Sequence, residues 1–555
     1  MRKILVLVLL AVVGCDSAAP DAEPDPTPDA VAPDLTGPLF DPQRLIEVSI
    51  ELPAADWDAL RMQTRSVSDV FGMCPTGPHP NPFSTFRATV TVDGQRLTDV
   101  GIRKKGFYGS LDAAKPSLKI KTDEFVADQR LFGLKTLTLN NAKQDPSLIK
   151  QCLAYQVFDK AGLPSSRCNF ARVRVNGNDL GIYVNVESVN KPFLRRHFAS
   201  DAGNLYEGAL SDFRPQWTLT FDKKTNDSDP DRSDLEEMST ALAKPDAELL
   251  AALDPLVDVE QFLDYWAAEV LIGHGDSYSG LANNFFVYDD PTTGRFNFMP
   301  WGVDNTFTAG GVINATSSAV AANGMLARRL YLLPATRDRY VARLRQHLAT
   351  IWDEPALLAE IDRMAALTGA PAAAVEDVRV FVRGRRQQIT NDLAGGPPPW
   401  TAPLKNSKPC FETNGDITGT FQTTWGTLGA PDVFAAGSGT LSGTFQGATI
   451  VSQRIGSMSG LDNGRAATQL IAEHADGTFT IVYFGVDPAL FVAPSDLLAN
   501  APGVAAGVFR YTPLTNTFEA VGFVLSGSLH LGAASMVDGS TVRGSFAMQT
   551  LSLPF

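Results

Sequence analysis

Between residues 274 and 307 the chain reads HGDSYSGLANNFFVYDDPTTGRFNFMPWGVDNTF, and three side chains in this stretch are of types that do chemistry together. Asp276 stands on a glycine-flanked turn, Asn284 comes eight positions later, and Asp304 follows the tight PWGV run. A carboxylate can accept the proton of an attacking hydroxyl. An Asn and a second Asp can hold a divalent metal against nucleotide phosphates, with a lysine neutralising the phosphate oxygens. Asp276 and Asp304 both fall at loop ends behind apolar segments, where a rigid scaffold can present them. Many polar-turned hairpins share so loose a spacing, so the elements around it must decide its meaning.

Those elements alternate between strand and helix from Phe40 to Leu393. LIEVSIEL (45–52) alternates as a strand does, and residues 53–63 have helical spacing. Residues 87–106 predict a hairpin about Asp93-Gly94, and residues 170–189 a second about Asn176-Gly177. SLKIKTDEF (117–125) and LKTLTLNNA (134–142) predict further strands. Asp145 and Pro146 have the order of an N-cap and first helical residue, opening a helix that runs to Gly162. Ser233 and Glu236 have the spacing of a capping box, and VEQFLDYWAAEVLI (259–272) predicts an apolar helix leading into the opening stretch. GGPPPWTAP (395–403) has the composition of a linker. Beyond it, residues 405–555 are rich in Gly, Thr and Ser with short strands, which predicts an all-β, sandwich-like module or partial barrel.

The N-terminus bears on compartment. Arg2 and Lys3 precede an apolar run of ten residues, Ile4–Val13, too short to span a bilayer. The run ends VVGC, which resembles a bacterial lipobox, so residues 1–15 read as a lipoprotein signal with Cys15 as the lipid-bearing mature N-terminus. This predicts an exported chain, anchored through Cys15 to a bacterial membrane at its periplasmic or cell-surface face. Residues 16–39 are rich in Pro, Asp and Ala and read as an extended tether. A net charge of −14 with no basic face argues against a nucleic-acid partner. Cys15 aside, four cysteines remain and allow three pairings; Cys152 and Cys168 would close a loop from a helix to the next strand, which favours that pair. No CxxC spacing and only six His argue against a zinc site.

Six segments taken together carry a resemblance. They are VGIRKKGFYGS (100–110), KPSLKIKTDEF (115–125), LTLNNAKQDPSLIKQCLA (137–154), RVNGNDLGIYVNVESVNKPFLRRHF (174–198), NLYEG (204–208) and the opening stretch. In this order they resemble the CotH kinase family of atypical protein kinases, over residues 40–394. The resemblance implies an α+β atypical protein-kinase-like domain that moves the γ-phosphate of ATP, with Mg2+ or Mn2+, to protein Ser/Thr hydroxyls. By the same resemblance Asp276 is the proton acceptor, Asn284 a metal ligand and Asp304 the main Mg2+ ligand. Arg103 and Lys105 match the family's R-x-K-G run, and Lys119 and Lys121 its K-x-K run, placing phosphate-binding cations there. Glu187 matches an acidic residue that orders the nucleotide site or partners one of these lysines. The family's PWDxD motif is broken here, because Gly302 stands where the first Asp belongs. That departure keeps open a second reading, a catalytically inactive surface module that binds a nucleotide, glycan or protein partner.

Overall fold

The computed structural model describes residues 35–65, 74–308, 315–402, 404, 409–410, 412–462, 464–499, 503–514 and 517–552. Cys15 and the signal segment lie outside these residues. The described residues form two compact units, one from 35–65 and 75–409, the other from Cys74 and 410–552.

The first unit opens with a closed barrel. Its strands are β1 (Leu45–Glu51), β2 (Phe86–Val92), β3 (Gln95–Lys105), β4 (Ser117–Lys121), β5 (Thr136–Asn140), β6 (Cys168–Val175) and β7 (Asn178–Val186). They close in the order β1-β2-β3-β4-β5-β7-β6, antiparallel except where β1 meets β6. Both expected hairpins form. Asp93-Gly94 and Asn176-Gly177 have positive φ at both turn residues, the backbone twist that two-residue hairpin loops require. Strand alternation sorts the side chains: Ile102, Leu118, Ile120 and Leu139 fill the barrel, while Arg103, Lys105, Lys119 and Lys121 alternate with them on its outer face. Lys104 is an exception of sign. It is buried, and its Nζ donates to the carbonyls of Arg61 and Gln63 at 2.7 Å, where helix Ala54–Met62 ends. Burial pushes its pKa down to about 8.

Behind the barrel, β8 (Asn204–Gly208), β9 (Asp222–Lys223), β10 (Phe285–Asp290) and β11 (Arg295–Pro300) form a sheet in the order β11-β10-β8-β9. It shares one core with helices Lys150–Lys160, Val259–Leu271, Pro334–Thr350 and Ala372–Asp392. Within it Trp266 stacks on Tyr340 with ring centroids 3.8 Å apart and donates Nε1–H to the Ala321 carbonyl.

Several boundaries differ from expectation. The helix expected from Asp145 starts at Lys150, because Asp145 spends its carboxylate on the backbone N–H groups of Ser147 and Lys150. No capping box forms at Ser233, which is the first helical residue and donates its hydroxyl to Asp231. Leu39 and Phe40 are buried, so the folded unit begins inside the segment expected as tether. The expected linker is also packed: Trp400 is buried and Tyr331 donates its hydroxyl to the Pro398 carbonyl at 2.6 Å.

The second unit is all-β. Ten strands from Glu412–Thr424 to Thr541–Ser552 form one sheet around its own core, and a bridge between Trp425 and Ser459 joins distant strands. It is thus a single curled sheet, closer to the partial barrel than to two stacked layers.

Among the described residues two disulfides are present, Cys74–Cys410 and Cys152–Cys168. The second closes a loop of 16 residues between a helix and β6. Replacing both its cysteines by Ala is expected to lower stability by about 3 kcal/mol, since a loop of this length restricts the unfolded chain by roughly that amount. The check is a lower urea midpoint in the double variant than in the wild type.

Candidate functional site

The loop carrying Asp276 is held by groups on its own two sides. Helix Val259–Leu271 ends before Gly273, whose φ of +64° turns the chain. Ser277 then caps the short helix Tyr278–Leu281, its Oγ accepting from Gly280 N at 3.0 Å. Glu269, on the long helix, accepts the backbone N–H groups of Tyr278 and Ser279 at 3.2 and 3.1 Å. Its complete burial pushes its pKa up to about 7. Ala282 and Asn284, both near φ +52°, swing the chain into β10.

These turns bring Asn283 and Asn284 back onto Asp276. Asn283 Nδ2 donates to Asp276 Oδ1 at 2.9 Å, and Asn284 Nδ2 donates to Oδ2 at 2.9 Å and to the main-chain oxygen at 3.0 Å. Asp276 has no exposed surface. Expected as base and metal ligand, Asp276 and Asn284 are joined to each other in the structure. Nearby His274 is also buried, and burial lowers its pKa to about 3, so the ring stays neutral.

Gly302 is part of the same packing. Its φ is +52°, and a Cβ built on it would lie 2.3 Å from Asn284 Oδ1. The break in the PWDxD pattern therefore coincides with the place where the Asn284 amide fits. A side chain at residue 302 and this placement of Asn284 exclude one another.

Asp304, two residues on, belongs to a different group. Its pKa is raised to about 6, chiefly by burial and also by Asp145, against its own backbone N–H and the charges of Lys105 and Lys150. Its Oδ1 has no hydrogen-bond partner among the described residues, although the atom is buried. Asp145 is buried as well, and burial first, against the pull of Lys150, holds its pKa above the ordinary carboxylate range. Lys150 Nζ donates to Thr308 Oγ1 at 3.0 Å. Lys105 Nζ donates to Asn140 Oδ1 at 2.5 Å and lies 6.0 Å from the Trp301 ring centre. The strand end of β3 and the start of a helix thus bring two cations and a second carboxylate within electrostatic reach of Asp304, on the turn after β11.

The buried Asp304 Oδ1 is a hard oxygen of the kind a divalent cation takes, while the Asp145 carboxylate already accepts from Ser147 and Lys150. Among the described residues no group of three His, Cys, Asp or Glu is set to hold a metal.

The other expected cations stand elsewhere on the barrel's outer face. Arg103 lies directly opposite Lys119 across β3 and β4, and Lys121 pairs with Glu124 at 3.4 Å. Glu187 partners no lysine of that group. Its carboxylate takes Arg167 at 2.7 Å and also Arg196, because β7 ends beside the residue just before β6 and the helix carrying Arg196. Asp145 and Lys150 were missed as site residues. Both sit in the LTLNNAKQDPSLIKQCLA segment, where the Asp-Pro pair looked like a plain helix start.

This chain is 27% identical over 231 residues to the inner spore coat protein H of Bacillus subtilis (strain 168), covering 40% of this chain and 62% of that protein. It is 32% identical over 91 residues to an inner spore coat protein H-like protein of the same organism, covering 15% of this chain and 30% of the relative. Among solved structures, the Helicobacter pylori proinflammatory kinase CtkA aligns with a TM-score of 0.29 and 11% identity, over 50% of this chain and 92% of that one. The Shewanella oneidensis MR-1 HipA, HipB and operator DNA complex aligns with a TM-score of 0.28 and 14% identity, over 47% of this chain and 61% of that one. At such scores neither likeness bears on the chemistry of this site. The family pattern described as CotH kinase protein matches residues 102–388, just over half of the 555-residue chain, and the chain belongs to that family.

Proposed function

We propose that the first unit binds ATP with Mg2+ and transfers its γ-phosphate to Ser or Thr hydroxyls of a protein. The observation that carries this is the buried Asp304 carboxylate, with one oxygen unpartnered, set among Asp145, Lys105 and Lys150. Asp304 and Asp145 would hold the cation, which when bound draws charge from the phosphate oxygens. Lys105 and Lys150 are placed to neutralise those oxygens, so that less negative charge remains uncompensated in the transition state. Asp276 is the proton acceptor by family correspondence, and Asn283 and Asn284 fix its carboxylate in one orientation. The chain is read as exported and held at a membrane through lipid on Cys15; among the described residues no helix is long and apolar enough to cross one.

A specific observation favours the second reading, nucleotide binding without transfer: Asp276 is fully buried beneath two amides. The two readings separate in one experiment. The chain without its first 34 residues is incubated with labelled ATP and Mg2+ or Mn2+ and an unstructured Ser/Thr-containing acceptor. Transfer is expected, and Lys105→Ala and Asp276→Ala should each reduce it by about 100-fold or more. Stabilisation by nucleotide with no transfer would establish the second reading, and no response to nucleotide would remove both.

A further inference from the structure

On the outer face of the C-terminal sheet, four adjacent strands lay polar side chains in register. Thr440 lies opposite Thr420, Thr420 opposite Ser545, and Ser545 opposite His530. In the next row Ser438 lies opposite Gln422 and Gln422 opposite Arg543. Together they line a groove of about 490 Å3, kept open where Gly532 presents no side chain.

At one end of the groove, two nitrogens flank the same small space. Arg543 Nε and His530 Nε2 each lie 3.7 Å from the point where a Cβ on Gly532 would stand. Arg543 has no side-chain partner among the described residues. His530 turns its Nδ1 to Asp496 Oδ1 at 2.8 Å. In the tautomer whose Nδ1–H donates to that carboxylate, Nε2 is an acceptor. Arg543 presents the opposite chemistry, a fixed fork of donors suited to a carboxylate.

A ligand that satisfies both must carry an anion and, beside it, a hydroxyl. The rest of the groove continues the demand for hydroxyls, since Thr, Ser and Gln side chains both donate and accept. A stacked base is poorly served: Phe421, the groove's one aromatic residue other than His530 among those lining it, is 1% exposed. On a chain of net charge −14 the Arg543 guanidinium also selects anions locally.

We propose that this groove binds a carboxylated glycan. A uronate carboxylate sits on Arg543, a neighbouring sugar hydroxyl donates to His530 Nε2, and further hydroxyls lie along the row of Thr440, Thr420 and Ser545. The proposal is independent of the reading given to the first unit.

Affinity electrophoresis of the full-length chain through gels containing polygalacturonate, dextran or dextran sulfate tests it. Retardation is expected in polygalacturonate and not in dextran. Arg543→Gln removes the charge-assisted contact and should weaken retardation about tenfold or more. Gly532→Val fills the space between the two nitrogens without touching either charge and should weaken it comparably. Residues 532 and 543 lie at the sheet surface, so unchanged unfolding midpoints in both variants are expected and would show that the fold is intact. Failure of the wild type to be retarded by polygalacturonate would overturn the proposal. So would variants retarded like the wild type, or dextran sulfate retarding as strongly as polygalacturonate, which would mark a contact with charge alone.

Discussion

Asp304→Asn is expected to make the ligand-free protein more stable at neutral pH while removing its response to ATP and Mg2+. The carboxyl titrates near 6 when folded, against an ordinary value of 3.8, because burial and Asp145 disfavour its charge. Below a pH of about 4 both folded and unfolded chains hold the proton, and the group is neutral to stability. Between about pH 4 and 6 the unfolded chain loses the proton first, so the wild type loses stability across that window. The Asn variant carries no such loss. Its advantage should be absent at low pH and reach about 2–3 kcal/mol above pH 6, measured by urea unfolding in EDTA. Nucleotide works in the other direction. At about a hundredfold excess of Mg2+ and ATP over Kd, the wild type gains roughly 3 kcal/mol, and Asp304→Asn gains none. A variant less stable than wild type in EDTA at pH 8 would show that Asp304 is a structural carboxylate.

Gly302→Asp, which restores the family's missing residue, is expected to damage this protein. A non-glycine residue at φ +52° costs about 1–2 kcal/mol, and a Cβ placed 2.3 Å from Asn284 Oδ1 must also displace that side chain. The sum is a loss of about 3 kcal/mol. Displacing Asn284 also strips Asp276 Oδ2 of the amide that donates to it at 2.9 Å. The change should therefore lower the thermal midpoint and reduce labelled transfer together. Gly302→Ala supplies the control, since it carries the Cβ and the strained φ without the charge. If Gly302→Asp raised transfer while Gly302→Ala did not, the glycine would be a lost catalytic Asp and not the partner of Asn284.

What the sequence made legible follows from how local each signal is. The two hairpins are specified by adjacent residues, Asp93-Gly94 and Asn176-Gly177, and the barrel strands by period-2 alternation, so both could be read directly. The family was legible because its segments recur in order over residues 102–388. The grouping of Asp145, Lys105, Lys150 and Asp304 was not, because it joins residues up to 199 positions apart in number, from Lys105 to Asp304. The ion-pair partners of Glu187 were not legible for the same reason: Arg167, just before β6, and Arg196, on a helix, reach it only through folding. Composition misled at residues 395–403, where proline and glycine suggested a free linker and the single Trp400 fixes the segment to the core.

The closed barrel also limits how a protein substrate can be recognised. An open sheet invites an incoming peptide to lie alongside its outermost strand and complete the backbone hydrogen-bond ladder. All seven strands of this barrel already have neighbours on both sides, so it has no margin at which such a guest could lie. Lys105 stands at the tip of one of those strands. On the function proposed above, a partner approaching over the barrel meets side chains there, and the open strand edges of this unit are those of β9 and β11 in the second sheet.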